Sequence, residues 1–171
     1  MNIELRKWTR EDKKILMKIC NEVNRKYLSN RIPLPYTEKD ANWWLDNVEK
    51  QEGKTGIFRA IVVDGEVVGN ISVEGKDDIR CMDSEIGYLL LNEKFNNGIV
   101  TEATRKIVKI AFENLNIVRI TGLVCEENIG SRRVLEKNNF ILEGIMRDAI
   151  FKNEKNYNMC IYGLCKRKIK E

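Results

Sequence analysis

The stretch Ser84-Glu85-Ile86-Gly87-Tyr88-Leu89-Leu90-Leu91, followed by Phe95-Asn96-Asn97-Gly98-Ile99-Val100-Thr101-Glu102-Ala103, decides how this chain folds. Its first half reads as a strand, and its second half is an Asn-Gly loop that opens directly into a helix. A helix N-terminus presents backbone N–H groups with no intrahelical partner, and the helix dipole adds partial positive charge there. Such a loop is suited to holding phosphate. By spacing alone it is equally a simple turn into a helix. Neither the G-x-x-x-x-G-K-[ST] phosphate loop nor the G-x-G-x-x-G dinucleotide turn is present.

Downstream of this stretch, residues 101–115 carry Ala103, Ile107, Ile110, Ala111 and Leu115 on one helical side, with Arg105, Lys106, Lys109 and Glu113 on the other. Residues 118–124 read as a strand, and Asn128 caps a helix running from about 129 to 137. Asn138-Asn139 ends that helix, because asparagine tolerates the left-handed conformation. Two final strands, 140–145 and 157–164, are joined by a polar connection containing Asn153-Glu154-Lys155-Asn156. Upstream, Asp64-Gly65 between the strands 57–63 and 66–73 is the strongest hairpin signal in the chain. Residues 3–8 alternate as a short strand, and Thr9 with Asp12 caps a helix whose apolar set is Ile15, Leu16, Ile19, Cys20, Val23 and Tyr27. Pro33 and Pro35 make 31–36 a loop. Thr37 with Asp40 opens a second helix through Trp43, Trp44 and Val48 to about Glu49. The order describes a mixed α/β chain with an antiparallel start and at least one strand–helix–strand crossover.

Composition narrows the chemistry. The 171 residues are 43% apolar and 33% charged with only 2 prolines, which suits one globular domain spanning 1–171. No run approaches the roughly 20 apolar residues of a membrane span, and the first residues lack the apolar core of a signal peptide, so a cytoplasmic home is expected. The net charge of +4 comes from 30 basic and 26 acidic residues that are intermixed, which gives no argument for nucleic acid. The basic cluster Lys166, Arg167, Lys168 and Lys170 reads as a solvated end. The chain has no histidine, which removes the commonest general base and metal ligand. Five cysteines without a C-x-x-C pair argue against a zinc site, and Cys125, Cys160 and Cys165 read as small core residues. Any chemistry must use carboxylates, hydroxyls, thiols or backbone dipoles.

The order of these pieces resembles the GNAT N-acetyltransferase superfamily, most closely its branch of ribosomal-protein N-terminal acetyltransferases. The likeness covers almost the whole chain. It is densest from Glu85-Ile86-Gly87-Tyr88 through Gly98-Ile99-Val100-Thr101-Glu102-Ala103, and again in Asn128-Ile129-Gly130-Ser131-Arg132-Arg133-Val134-Leu135-Glu136-Lys137-Asn138-Asn139-Phe140. It implies a mostly antiparallel central sheet of six to seven strands with helices on both faces. One parallel pair, 84–91 with 118–124, would splay to admit acetyl-CoA. Splaying leaves main-chain groups that need partners, and the pantetheine arm would supply them as an extra pseudo-strand.

The resemblance also assigns roles. Leu89, Leu90 and Leu91 would offer their backbone to the arm, Asn96, Asn97, Gly98, Ile99, Val100 and Thr101 would cradle the pyrophosphate, and Asn128 would hydrogen-bond the arm from the far side. Departures are Phe95, where the family commonly has Gln, Arg or Trp, Asn96 in place of a common glycine, and Val100 in place of a small residue. Glu85 would be the base, acting directly or through water, with partial burial raising its pKa. A backbone N–H near Leu90 would stabilise the oxyanion. Many members have a tyrosine where this chain has Leu135, so Ser131 would serve the departing thiolate and also touch the cofactor; otherwise it is an ordinary first-turn serine. Residues 31–36, the helix with Trp43 and Trp44, and the 148–158 connection would surround the acceptor, with Tyr36, Trp43, Trp44 and Glu85 binding it. Neighbouring tryptophans on a helix point about 100° apart, so at least one belongs to the core.

The reaction implied is direct acetyl transfer to a primary amine, on a protein N-terminus or a small molecule, by a monomer or homodimer that needs no metal, membrane or nucleic acid. The rivals are a catalytically silent CoA-binding sensor or scaffold, and an anion-binding domain unrelated to CoA.

Overall fold

A computed structural model describes residues 1–169. Seven strands form one sheet: β1 (Ile3–Arg6), β2 (Gly56–Val63), β3 (Glu66–Gly75), β4 (Ser84–Leu90), β5 (Arg119–Cys125), β6 (Ile141–Lys152) and β7 (Lys155–Cys165), in the spatial order β1-β2-β3-β4-β5-β7-β6. Every pairing is antiparallel except β4 with β5. Four helices complete the fold: α1 (Lys13–Glu22), α2 (Glu38–Gln51), α3 (Ile99–Asn114) and α4 (Ile129–Lys137).

Local chemistry accounts for most boundaries. The β2–β3 hairpin turns on Asp64 and Gly65, whose φ values of 49° and 90° are what a two-residue primed turn requires. Thr37 caps α2, with the Asp40 carboxylate accepting from both the Thr37 N–H (2.7 Å) and its hydroxyl (2.6 Å). At the end of α4 the left-handed residue is Asn139, with φ 64°.

Three expectations are corrected. Helix α1 ends at Glu22, with extended backbone at Val23, so Tyr27 lies in the following loop. The polar connection expected over 148–158 is mostly strand: β6 and β7 run on to a two-residue turn at Asn153 and Glu154, both left-handed. The edge strand β6 is exposed along most of its length and its register shifts between Met146 and Ile150, so the alternation that marks a half-buried strand is missing. The basic end is tied down at Lys166, whose N–H donates to the Val118 carbonyl (2.9 Å) and Nζ to the Phe112 carbonyl (2.7 Å), whereas Arg167 is exposed as expected. Lys170 lies outside the described residues.

Helices cover both faces. On one, α3 and α4 bury Ile107, Ala111 and Leu135 against Ile71, Ile86, Ile120 and Tyr162. On the other, α1 and α2 pack Leu16, Ile19 and Leu45 with Trp8, Phe58 and Leu91 over the β1–β4 half of the sheet. On that second face Leu123 of β5 is left partly exposed.

Candidate functional site

The two halves of the sheet meet at β4 and β5, and there the ladder nearly stops. These strands pair at one position, Glu85 with Thr121. In contrast, β3–β4 stays in unbroken register from Gly75–Ser84 to Gly69–Leu90, and β5–β7 from Arg119–Cys165 to Cys125–Met159. The closed end is pinned by side chains. The Ser84 hydroxyl donates to the Arg119 carbonyl (2.9 Å), and the Thr121 hydroxyl to buried Asp83 (2.8 Å). Burial alone would raise the Asp83 carboxyl, but hydrogen bonds from Thr121 and Arg80 and the nearby Lys76 ammonium bring it below its ordinary value.

Past the pin the strands diverge, and hydrogen-bond alternation decides which groups face the gap. The Leu91 N–H donates to the Val68 carbonyl at 3.0 Å. Antiparallel alternation then turns the main chain of Gly87 and Leu89 towards β3, and that of Tyr88 and Leu90 towards β5. Of the three leucines expected to serve the gap, only Leu90 presents its backbone there. Tyr88 joins it, unforeseen.

The loop after β4 is shaped by its own residues. Asn96 and Gly98 are left-handed at φ 62° and 72°, and the Asn97 amide donates to the carbonyls of Phe95 (3.0 Å) and Lys94 (3.3 Å). Asparagine is the residue other than glycine that best tolerates this conformation, which explains its presence where glycine is common. Buried Ile99 anchors the start of α3 while Val100 and Thr101 are half-buried, and the first-turn N–H groups have no intrahelical partner. The Thr101 carbonyl accepts from the Asn138 amide (3.1 Å), which ties α3 to α4.

Across the gap, Asn128 caps α4 by accepting the Ser131 N–H at 3.2 Å. The Ser131 hydroxyl lies 2.6 Å from the Tyr88 phenol oxygen, bridging α4 to β4. Leu135 is fully buried: a Cβ on Gly122 would lie 2.6 Å from its Cδ1, so position 135 is core beneath β5. Glu85 stands at the closed end, facing the Lys76 ammonium at 3.5 Å, with 46% of its side chain exposed. Its side chain is thus about half covered, less enclosed than the residues on either side of it.

Of the residues expected to bind the acceptor, Tyr36, Trp43 and Trp44 lie on α2 or just before it. Trp43 is 66% exposed, and Trp44 packs edge-on between Trp8 (5.5 Å) and Phe58 (6.3 Å) on the β1–β2 side. Tyr36 is buried in the same core, its N–H held by Asn21 (2.8 Å) and its phenol pushed well up by burial. Crossing the splayed end is the segment between α1 and α2, which includes the expected 31–36. It is tied after β4 by Asn24 N–H to Asn92 (2.8 Å), after β5 by the Tyr27 hydroxyl to the Glu127 carbonyl (3.3 Å), and to β6 by Lys152 Nζ to the Leu28 carbonyl. Arg25 stitches this strap by donating to the carbonyls of Cys20 (2.6 Å), Ile32 (2.8 Å) and Pro33 (3.0 Å).

Two cavities, of about 260 Å³ beside Trp8 and Leu45 and about 360 Å³ beside Ile15 and Leu91, include neither Glu85 nor Ser131. The chemistry-bearing residues gather at the splay, so the splay is the candidate site. Among the described residues no group of three or more His, Cys, Asp or Glu is placed to hold a metal ion, and no helix is long and apolar enough to cross a membrane.

Comparison with known proteins bears on this geometry. Residues 2–141 match the family model described as an acetyltransferase (GNAT) domain. The chain is 35% identical over 112 residues to the putative ribosomal N-acetyltransferase YdaF of Bacillus subtilis (strain 168), covering 66% of this chain and 61% of that protein. It spans between 47% and 65% of the length of this and other curated relatives that it matches. A crystal structure of a probable acetyltransferase superposes with TM-score 0.81 at 27% identity, over 97% of this chain and 94% of the other. The spermidine N-acetyltransferase of Vibrio cholerae, solved with CoA and spermine, superposes with TM-score 0.82 over 99% and 98%. Its 17% identity makes that a likeness of fold alone.

Proposed function

This chain belongs to the GNAT acetyltransferase family, and we propose that it is an acetyl-CoA-dependent N-acetyltransferase acting on a primary amine by direct attack in a ternary complex. The single observation that carries the reading is the β4–β5 pair, joined only at Glu85 and Thr121 and open beyond. A parallel pair inside a sheet ordinarily closes its ladder, and backbone groups left without partners are costly when buried. An extended amide-bearing arm satisfies them. Tyr88 and Leu90 would hydrogen-bond that arm, Asn128 would reach it from β5's side, and the loop Asn96 to Thr101 would hold the diphosphate on N–H groups at the positive end of α3.

With the thioester so placed, an amine entering from the face of α1 and α2 passes beneath the strap. The amine must lose a proton before attack, and Glu85, reached directly or through water, is the carboxylate for it. The tetrahedral oxyanion would be stabilised by the Leu90 N–H, and Ser131 would meet the departing sulfur. The acceptor would be a protein N-terminus or a small-molecule amine such as a polyamine. YdaF is named for the ribosome, and both acceptor classes present a primary amine. We take the enzyme to act as one cytoplasmic domain, monomeric or homodimeric.

A catalytically silent CoA-binding module is the second reading, favoured by the exposure of Glu85 and its pairing with Lys76. Release of free thiol from acetyl-CoA, measured across peptides, polyamines and amino sugars, separates the two. The enzyme releases thiol above spontaneous hydrolysis with at least one acceptor. The silent module is stabilised by CoA against heat and turns over none.

A further inference from the structure

We propose that Tyr88 is a positioning residue for acetyl transfer: its phenol engages the Ser131 hydroxyl so that the serine's own proton points into the β4–β5 gap, towards the sulfur that leaves. This rests on the acetyltransferase reading and adds a residue to it.

The geometry is specific. Tyr88 lies three residues beyond Glu85, the last β4 residue paired with β5, so its backbone borders the open gap while its half-buried ring reaches α4 on the face of α3 and α4. Its phenol oxygen lies 2.6 Å from Ser131 Oγ and 3.2 Å from the Ser131 carbonyl. Burial pushes the phenol up to about 12, against the opposing pull of the Ser131 hydrogen bond, so it keeps its proton at neutral pH. A neutral phenol has one proton to give. The 2.6 Å pair fits either oxygen as donor; because Oγ is nearer than the carbonyl and a phenol is a stronger acid than an aliphatic hydroxyl, in the proposed arrangement Tyr88 donates and Ser131 accepts. The Ser131 backbone is held by its N–H to Asn128 at 3.2 Å and its Oγ by Tyr88 at 2.6 Å, so the remaining freedom of its hydroxyl is the direction of its own proton. Accepting from Tyr88 polarises that O–H and strengthens it as a donor. As the tetrahedral intermediate collapses, the C–S bond breaks, the electron pair stays on sulfur, and the Ser131 O–H donates a hydrogen bond to the nascent thiolate. No proton need change owner.

A plain tie between α4 and β4 would predict lower thermal stability for Tyr88→Phe and an unchanged kcat. Positioning predicts that kcat falls about ten-fold, the scale of one charge-assisted hydrogen bond, while KM for acetyl-CoA stays within about two-fold. In a Ser131→Ala background Tyr88→Phe should then cost nothing further, because the two act as a unit. Ser131→Thr, which keeps the hydroxyl, should retain most of kcat only when Tyr88 is present. Additive losses in the double variant, or an unchanged kcat in Tyr88→Phe, overturn the proposal. Should Tyr88→Phe fail to fold, 3-fluorotyrosine placed at position 88 keeps the shape and makes a stronger donor. Its kcat should exceed wild type, and an unchanged kcat overturns the proposal. Wild-type protein that releases no thiol from acetyl-CoA with any amine overturns the acetyltransferase reading along with this one.

Discussion

Replacing Gly98 by alanine tests whether the loop before α3 holds a diphosphate. Gly98 sits at φ 72°, and a Cβ there would meet no atom within 4 Å, so the substitution introduces no clash and its cost is backbone strain alone. An L-residue in the left-handed region is disfavoured by about 1–2 kcal/mol. Reduced freedom of the unfolded chain returns roughly 0.4–1 kcal/mol of this. The net, about 1 kcal/mol, corresponds to a fall in Tm of roughly 2–4 °C for a chain of this size. Where the loop instead relaxes out of the left-handed geometry, the first-turn N–H groups turn away from the anion. About 1–2 kcal/mol lost there is roughly a 5- to 30-fold rise in KM. Thiol release should be followed with acetyl-CoA and, in parallel, with S-acetylpantetheine, which has the arm and thioester but no diphosphate. We expect KM to rise for acetyl-CoA only, with kcat little changed. Equal losses on both substrates, or none on either, would refute the reasoning. Asn96→Gly is the internal control: Asn96 is already left-handed at φ 62°, so glycine there relieves strain and should not raise KM.

Other outcomes follow from the same geometry. Glu85→Gln should lower kcat by roughly 10²-fold or more; an unchanged kcat rules that carboxylate out as base. Asp83 has a depressed folded carboxyl, so the stability it contributes is present above the ordinary carboxylate value, about 3.9, and is lost as pH falls through the lower folded value. Thermal melts should therefore show Asp83→Asn less stable by about 1–3 kcal/mol at neutral pH, with the difference from wild type shrinking below about pH 4; a constant difference would sink the idea. Tyr27→Phe removes the strap's hydroxyl tie to Glu127. It should change KM for the amine while leaving KM for acetyl-CoA unaltered, and the reverse pattern would place the strap on the cofactor side.

What the sequence disclosed and what it withheld divide by range. Asp64-Gly65, Thr37 with Asp40, Asn128 and Asn139 each act on backbone within three or four residues, so their chemistry was legible without coordinates. So was the splayed parallel pair, through resemblance in the residues around Glu85 and Gly98. Edge strand β6 was legible only over its first half, 140–145; its run on to Lys152 was not, because a strand exposed on both sides need not alternate. Trp43 and Trp44 suggested a pocket by residue type, yet α2 lies over β2 and spends Trp44 on Trp8 and Phe58. Tyr88 was quoted as part of a motif with no role, since its partner is 43 residues away on α4. Exposure of Glu85 and its pairing with Lys76 depend on strands β3 and β4 lying side by side, which no local pattern encodes.

A gap between two strands is unstable by itself: unpaired backbone drives the strands together or draws in water, and a clean ladder would form if nothing opposed it. Here the separation is maintained by side chains around the perimeter. Thr121 with Asp83 joins the halves at the closed end, Tyr88 with Ser131 joins them on the face of α3 and α4, and Tyr27 with Glu127 joins them at the open end on the other face. Each tie links something on the β4 side to something on the β5 side, and each is a hydrogen bond with defined length and direction. Three such ties at different heights fix both the width of the gap and the angle of its walls. On this account the cofactor meets a preformed opening, which limits the conformational cost of binding. The same ties that hold the gap also carry the phenol, hydroxyl and strap assigned to chemistry, so breaking any one should perturb catalysis more than its modest contribution to stability would suggest.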